Sequence, residues 1–432
     1  MTRQALLPDR VFDSINGQML DNHVVTIAGD RVESITPALP DQEAQRLEGM
    51  TLVPGLIDVH THLAIPLDNG HGFAAIVQRS GAQEALLGVK HAGETLRAGF
   101  TTVRDAGCWR AFTDVALRDS IDAGWVAGPR MAVAGAFVGA HGGAGDITGL
   151  AVDVDTVLPR ELRFGMSSGA DEYRSNTREI LRYGADFIKV LATGAVLTSG
   201  TNPGTPEMTE EELRAVVETA TEADTHVAAH AHGTEGIKRA IRAGARSIEH
   251  ASLIDYEGIE LMASHGTYMV ADLYDGDFIL EVGPAMGYTD EVMRGVHMTT
   301  DAQRKGFTKA VEAGVRIAFG TDAGVYPHGD NAKQLSLHVR YGMSPAAALQ
   351  SATRWAAELM GWEDRVGSLT PGAFADLVVV DGNPLDDIST LETPAGVMQG
   401  GDWVVAPIGE APHVESDAVS ERRRFGIPNP QH

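Results

Sequence analysis

Six side chains able to bind a cation, His60, His62, Lys189, His230, His250 and Asp322, stand at the ends of five segments that read as β-strands. Imidazoles, a carboxylate and a lysine gathered this way describe a hydrolytic site for two metal ions. In Leu56-Ile57-Asp58-Val59-His60-Thr61-His62 the two-residue period of a strand turns both histidines to the same side, so they can share one ion, zinc being suited to them. Lys189 lies in the apolar run Phe187-Ile188-Lys189-Val190-Leu191, where an ammonium is costly and cannot ligate a cation. Carbamylation by CO2 turns it into a carboxylate whose two oxygens can bridge two ions. His230 closes His226-Val227-Ala228-Ala229-His230, His250 closes Ser247-Ile248-Glu249-His250, and Asp322 ends residues 316–322.

The elements that must position these groups recur along the chain. Eight short apolar segments, near 56–62, 101–106, 130–136, 187–193, 226–232, 247–251, 267–273 and 316–322, alternate with stretches of helical character. One helix start is marked by Thr209 and Glu212 at capping-box spacing. Gly99, Gly184, Gly244 and Gly314 read as helix C-caps before strands. Parallel neighbours need crossover helices, so the alternation predicts an α/β fold, a (β/α)8 TIM barrel, in which function sits at the carboxyl ends of the strands. All six candidate ligands fall at or near such ends.

Composition narrows the function classes. In 432 residues, 34 basic against 59 acidic side chains leave a formal charge of −25, which favours solubility and opposes nonspecific binding to nucleic acid or an anionic membrane. Cys108 is the single cysteine, which excludes an intrachain disulfide and a thiolate metal cluster and suits a reducing cytoplasm. No basic segment with a long apolar core opens the chain, and no run approaches the ~18 apolar residues of a membrane span. A soluble cytoplasmic protein is expected, with no nucleic-acid or membrane partner.

At Pro54-Gly55-Leu56-Ile57-Asp58-Val59-His60-Thr61-His62, the lysine strand, the two later histidines, Gly320-Thr321-Asp322-Ala323-Gly324 and Gly367-Ser368-Leu369-Thr370-Pro371-Gly372-Ala373-Phe374-Ala375-Asp376, the sequence resembles the metal-dependent amidohydrolase superfamily, over roughly residues 8 to 405. His230-Ala231-His232-Gly233, the approach to Lys189 from Tyr183, and Pro327-His328-Gly329 are similar to the branch of prolidase-like carboxypeptidases, ochratoxinase-type amidases and phenylurea or carbamate hydrolases. The resemblance implies a small β-sandwich built from both chain termini, residues 1–54 and 366–410, beside a barrel over 55–365. Residues 411–432 then form a tail, expected to be mobile or to contact another subunit of a homo-oligomer.

It also implies an allotment of ligands: His60, His62 and Asp322 on one ion, His230 and His250 on the other, carbamylated Lys189 between them. Asp322 is then the proton shuttle, and His141, in Gly139-Ala140-His141-Gly142-Gly143, is expected to donate to the carbonyl oxygen. His232 and His328 are expected to contact substrate, His232 also being a candidate for catalysis. Arg178, Tyr173, Tyr274 and Tyr326 are further candidates to hold a substrate carboxylate or ring. Alternation turns Asp58 and Glu249 away from their ligand neighbours into supporting positions. Arg104 and Asp105 read as braces, and His226 as a core residue. The substrate expected is a small amide, C-terminal peptide, N-acyl amino acid, urea or carbamate. The alternatives are a cyclic amidine deaminase, an imidazolone-ring hydrolase, against which Lys189 counts, and a noncatalytic scaffold, against which the full ligand set counts.

Overall fold

The computed structural model describes residues 3–66 and 73–407; the tail expected from 411 lies outside the described residues. Short apolar strands, buried on both faces, form two parallel sheets, as strands covered by helices on one side and by each other on the other must. Leu56–Thr61, Phe100–Asp105 and Arg130–Val133 make the first. The second runs, in spatial order, through Gly165–Ser167, Phe137–Ala140, Ile188–Leu191, Val227–Ala231, Ser247–His250 and Tyr268–Val270. Hydrogen bonds join the two sheets. Asp186 N–H donates to Val133 O over 2.8 Å on one side. On the other, Met269 bridges to Ile317 and Val59 N–H donates to Phe319 O over 2.9 Å.

Two segments depart from the expectation. The third is split: Gly135, at φ +74°, turns the chain between Arg130–Val133 and Phe137–Ala140, and a Cβ there would stand 3.2 Å from the Phe112 ring. Its N–H is held by Asp114 at 2.8 Å. The eighth, 316–322, makes isolated bridges instead of a regular strand. The N–H groups of Thr321 and Asp322 converge on one carbonyl, His60 O, at 3.2 and 2.8 Å, and Asp322 takes the left-handed φ of 56°, so the ladder ends there.

The helices lie between the strands and close the core from outside. Glu210–Glu222 starts on the expected capping box: Thr209 Oγ1 accepts from Glu212 N and the Glu212 carboxylate accepts from Thr209 N. Gly244 caps Thr234–Ala243 in the left-handed conformation, and Gly99, Gly184 and Gly314 sit one residue beyond the caps of their helices, also with positive φ.

The two flanks meet in one hydrogen-bonded sheet of eight strands. Its order runs Asp402–Val405, Gly396–Gln399, Leu377–Asp381, Gln45–Pro54, Arg3–Asp13, His23–Ala28, Arg31–Pro37, with Gln18–Asp21 on Arg3–Asp13. The flanks join where Leu377 faces Pro54 and Asp381 faces Met50. Irregularities at Pro8/Arg10, Thr26/Ile27 and Val397/Met398 bend the sheet, and it curls around Leu6, Val25, Ile27, Leu52, Leu377 and Met398. Arg130 ties it to the parallel strands through Asp376 at 2.9 Å.

Candidate metal centre

The carboxyl ends of the parallel strands bring the six expected groups into one buried cluster. Asp322 Oδ1 is 3.0 Å from His62 Nε2 and 3.4 Å from His60 Nε2, and Lys189 Nζ is 3.1 Å from His60 Nε2. The His230 and His250 ring centres are 4.4 Å apart. Donor atoms of His60, His62 and Asp322 form one group within 4.8 Å of each other; those of His230, His232 and His250 form another. His232 thus stands closer to the candidate ligands than expected, its ring stacked 4.5 Å from His250 and its Nδ1 2.8 Å from Ser252 Oγ.

The electrostatics suit cation binding. Burial, with Lys189 adding to it, lowers His60 to about 4, and burial with the facing rings lowers His232 to about 3 and holds His230 well below its usual value. These rings are therefore neutral and keep a lone pair each. Burial lowers Lys189 to about 8, so an appreciable share is the neutral amine that reaction with CO2 requires. Burial alone would raise Asp322, but the His60 and His62 rings hold it ionised, down to about 2. The neutral His60, His230 and His232 rings, with the ionised Asp322 carboxylate that raises His62 and with Lys189 beside His60, fit the binding of a divalent cation.

Several of the candidate ligands are held from behind. Glu249 Oε2 lies 3.0 Å from His60 Nδ1, while its other oxygen takes Arg104 at 2.8 Å and Ser247 Oγ at 2.5 Å. The fully buried Arg104 also donates to Val59 O at 2.7 Å. His62 Nδ1 is 2.7 Å from Gly107 O, and Asp105 accepts from the N–H groups of both Gly107 and Leu63, tying the two segments together. Asp58, raised to about 7 by burial, gathers Thr321, Asn331 and the His60 N–H, linking the first strand to the Asp322 turn. His250 and Asp322 both adopt left-handed φ, 70° and 56°, a strained backbone that such networks can maintain.

Sequence reasoning missed Asp272. Its Oδ2 is 2.7 Å from His250 Nδ1, and its Oδ1 accepts from Gln303 at 2.7 Å, so it orients His250 as Glu249 orients His60. The signal was its place near the end of the seventh apolar segment, 267–273. Also missed was the aromatic series Phe73, Trp109 and Phe137, edge to face at 5.2 Å and 5.2 Å, which reaches the His62 ring at 5.8 Å.

Other expected contacts lie elsewhere. His328 is buried against His91, ring centres 4.3 Å apart, with Nδ1 3.5 Å from Thr95 Oγ1; it packs behind the centre and lines neither cavity there. Tyr173 and Tyr326 are core side chains, Tyr274 packs edge to face on Tyr326, and Arg178 is exposed beside Glu222. His141 sits on an exposed turn after Phe137–Ala140 and is not among the lining residues, although Ala144, three residues on, is. His226, at the opposite end of its strand, stacks on Phe187.

Residues 51–404 match the profile of the Amidohydrolase family. Ochratoxinase from Aspergillus niger is 32% identical over 358 residues, covering 80% of this chain and 73% of its own. A crystal structure of a Xaa-Pro dipeptidase with methionine bound in the active site superposes with TM-score 0.85 at 36% identity, over 93% of this chain and 99% of the other. A prolidase complexed with N-methylphosphonate-L-proline superposes with TM-score 0.84 at 30% identity, again over 93% and 99%. The chain belongs to the amidohydrolase family. It is an enzyme, a hydrolase acting on C–N bonds. Among the described residues no helix is long and apolar enough to cross a membrane.

Proposed function

We propose that the protein is a binuclear metal-dependent hydrolase, a (β/α)8 barrel enzyme that cleaves an amide-type C–N bond in a small molecule. The bond classes are those of a C-terminal peptide, an N-acyl amino acid, a urea or a carbamate. The observation that carries the reading is the contact of Asp322 Oδ1 with both His60 and His62 beside Lys189, with His230 and His250 adjoining. His60, His62 and Asp322 would hold one ion and His230 and His250 the other, with Lys189, carbamylated, between them; zinc matches this donor set. Two such cations, when bound, polarise a carbonyl and make water acidic enough to attack near neutral pH.

The chain's own groups then do the proton work. Asp322, ionised and in hydrogen-bond reach of both imidazoles, takes a proton from the attacking water and returns it to the departing nitrogen. The oxygen of water ends on the acyl carbon, the C–N bond breaks, and an acid and an amine leave. His232, fixed by Ser252, faces the same cluster and is a candidate to contact substrate or share the proton work. His141 remains the proposed donor to the carbonyl oxygen, from a turn adjoining the cavity through Ala144.

The test is elemental analysis of zinc- or manganese-loaded protein together with turnover of dipeptides, N-acyl amino acids, phenylureas and carbamates. Two ions per chain with metal-dependent release of an amine are expected. At most one ion, or turnover that survives metal removal, would overturn the reading.

A further inference from the structure

The space around the centre divides into two arms of different size and chemistry. The larger, about 220 Å³, opens on the His60, His62 and Lys189 side between Ile65, Phe73, Trp109, Phe137 and Leu191. The smaller, about 90 Å³, lies on the His232 side under Ser252, Asp275, Thr299, Thr300 and Gln303. His230, His250 and Asp322 border both. A substrate carbonyl at the centre therefore sends one substituent into each arm.

The larger arm is built to take an apolar ring. Trp109 stands between Phe73 and Phe137, edge to face with each, and Phe137 continues the series to His62, so one wall is a set of ring edges and faces held in fixed relation. The smaller arm carries the carboxyl groups of Asp275 and Asp322 and, among its described lining residues, no lysine or arginine. Thr299 and Thr300 give their hydroxyl protons to carbonyls of their own helix, and the Gln303 amide is taken by His250 O and Asp272. Among the described lining residues of both arms Lys189 is the one lysine or arginine, and it belongs to the centre. A substrate carboxylate lying within either arm would thus lose its water without gaining a lysine or arginine as partner.

We infer that the preferred substrate is a neutral amide carrying an aryl or bulky alkyl group on one side of the C–N bond and a small group on the other, and that Trp109 is a specificity-determining residue for the larger group. This deepens the proposed function and rests on it.

The experiment uses the full, metal-loaded chain and two amides that share an acetyl group, a scissile bond and a phenyl ring: N-acetylphenethylamine and N-acetyl-L-phenylalanine, which adds only the carboxylate. The neutral amide is expected to have kcat/KM at least tenfold higher. Against N-acetylmethylamine as the ringless reference, Trp109→Ala is expected to cut the advantage of N-acetylphenethylamine about tenfold, mainly through KM, and Trp109→Phe to restore most of it. Preference for the carboxylate would overturn the inference and leave the hydrolase reading standing, as would an unchanged ring advantage in a folded Trp109→Ala enzyme. No metal-dependent turnover of any of the three would bring down both. The wild-type comparison stands even if Trp109→Ala does not fold.

Discussion

The Glu249 carboxylate lies 3.0 Å from Nδ1 of His60, across the ring from the nitrogen that faces Asp322 and Lys189. A carboxylate at this position favours the imidazole proton on Nδ1 and the Nε2 lone pair toward the centre, the outer support that the proposed role of His60 as a metal ligand calls for. The same carboxylate is the counter-charge of the fully buried Arg104.

Glu249→Gln should therefore act twice. Losing the histidine's support should weaken metal binding by ~10–100-fold. Leaving Arg104 buried without its partner should cost about 3–5 kcal/mol. Metal titration and denaturant unfolding read the two effects separately; unchanged stability would show that Arg104 is balanced elsewhere.

Asp322→Asn keeps an oxygen for a cation while removing the base. Turnover should fall by ~10²–10⁴-fold, the share general acid–base catalysis supplies, with most metal retained. Near-normal turnover in metal-replete protein would move the proton work to His232.

Lys189→Ala should lose bound metal and activity together, because the proposed carbamate between the two histidine groups could no longer form. Addition of a short carboxylate such as propionate is expected to restore part of the activity. Mass spectrometry of intact wild type under native conditions tests the modification directly, since a carbamate adds about 44 Da, the mass of CO2. A fully active, metal-loaded enzyme without that mass would reject the bridge.

Removing metal with a chelator should lower thermal stability as well as activity, because ligands that bind only the folded state stabilise it by about 4 kcal/mol at a thousandfold excess over Kd. The melting temperature of chelated protein, read before and after zinc is returned, checks this. Unchanged melting would mean that the histidine cluster binds no cation tightly.

A distant control is Thr209→Ala, which removes the side-chain acceptor at the start of Glu210–Glu222. A loss of roughly 1 kcal/mol of stability is expected, with kcat/KM unaltered. Denaturant curves and a standard assay on one preparation decide it.

Strand alternation is a property of a single segment, and so it was readable from residues in order. It turned His60 and His62 to one side and left the candidate ligands at or near the ends of their segments, whereas Asp58, two residues before His60, shares that side and is set apart by its partners Thr321 and Asn331, not by alternation. The capping box at Thr209 and the left-handed glycines are equally local, and the structure shows them. Contacts between segments are different in kind. Asp272 reaches His250 across 22 positions, His328 stacks on His91, and Trp109 meets Phe73 and Phe137, each through side-chain packing that no single period encodes. The eighth segment carries a strand-like pattern, yet Asp58 and the His60 carbonyl capture its backbone donors and end the ladder at Asp322. The flanks offered two apolar sets, and the bends at Pro8/Arg10 and Val397/Met398 made of them one curled sheet. Residue type and spacing thus determined which groups could meet at the strand ends. Only tertiary packing decided which nitrogen of each ring faces inward, what stands behind it, and what shape of space lies in front.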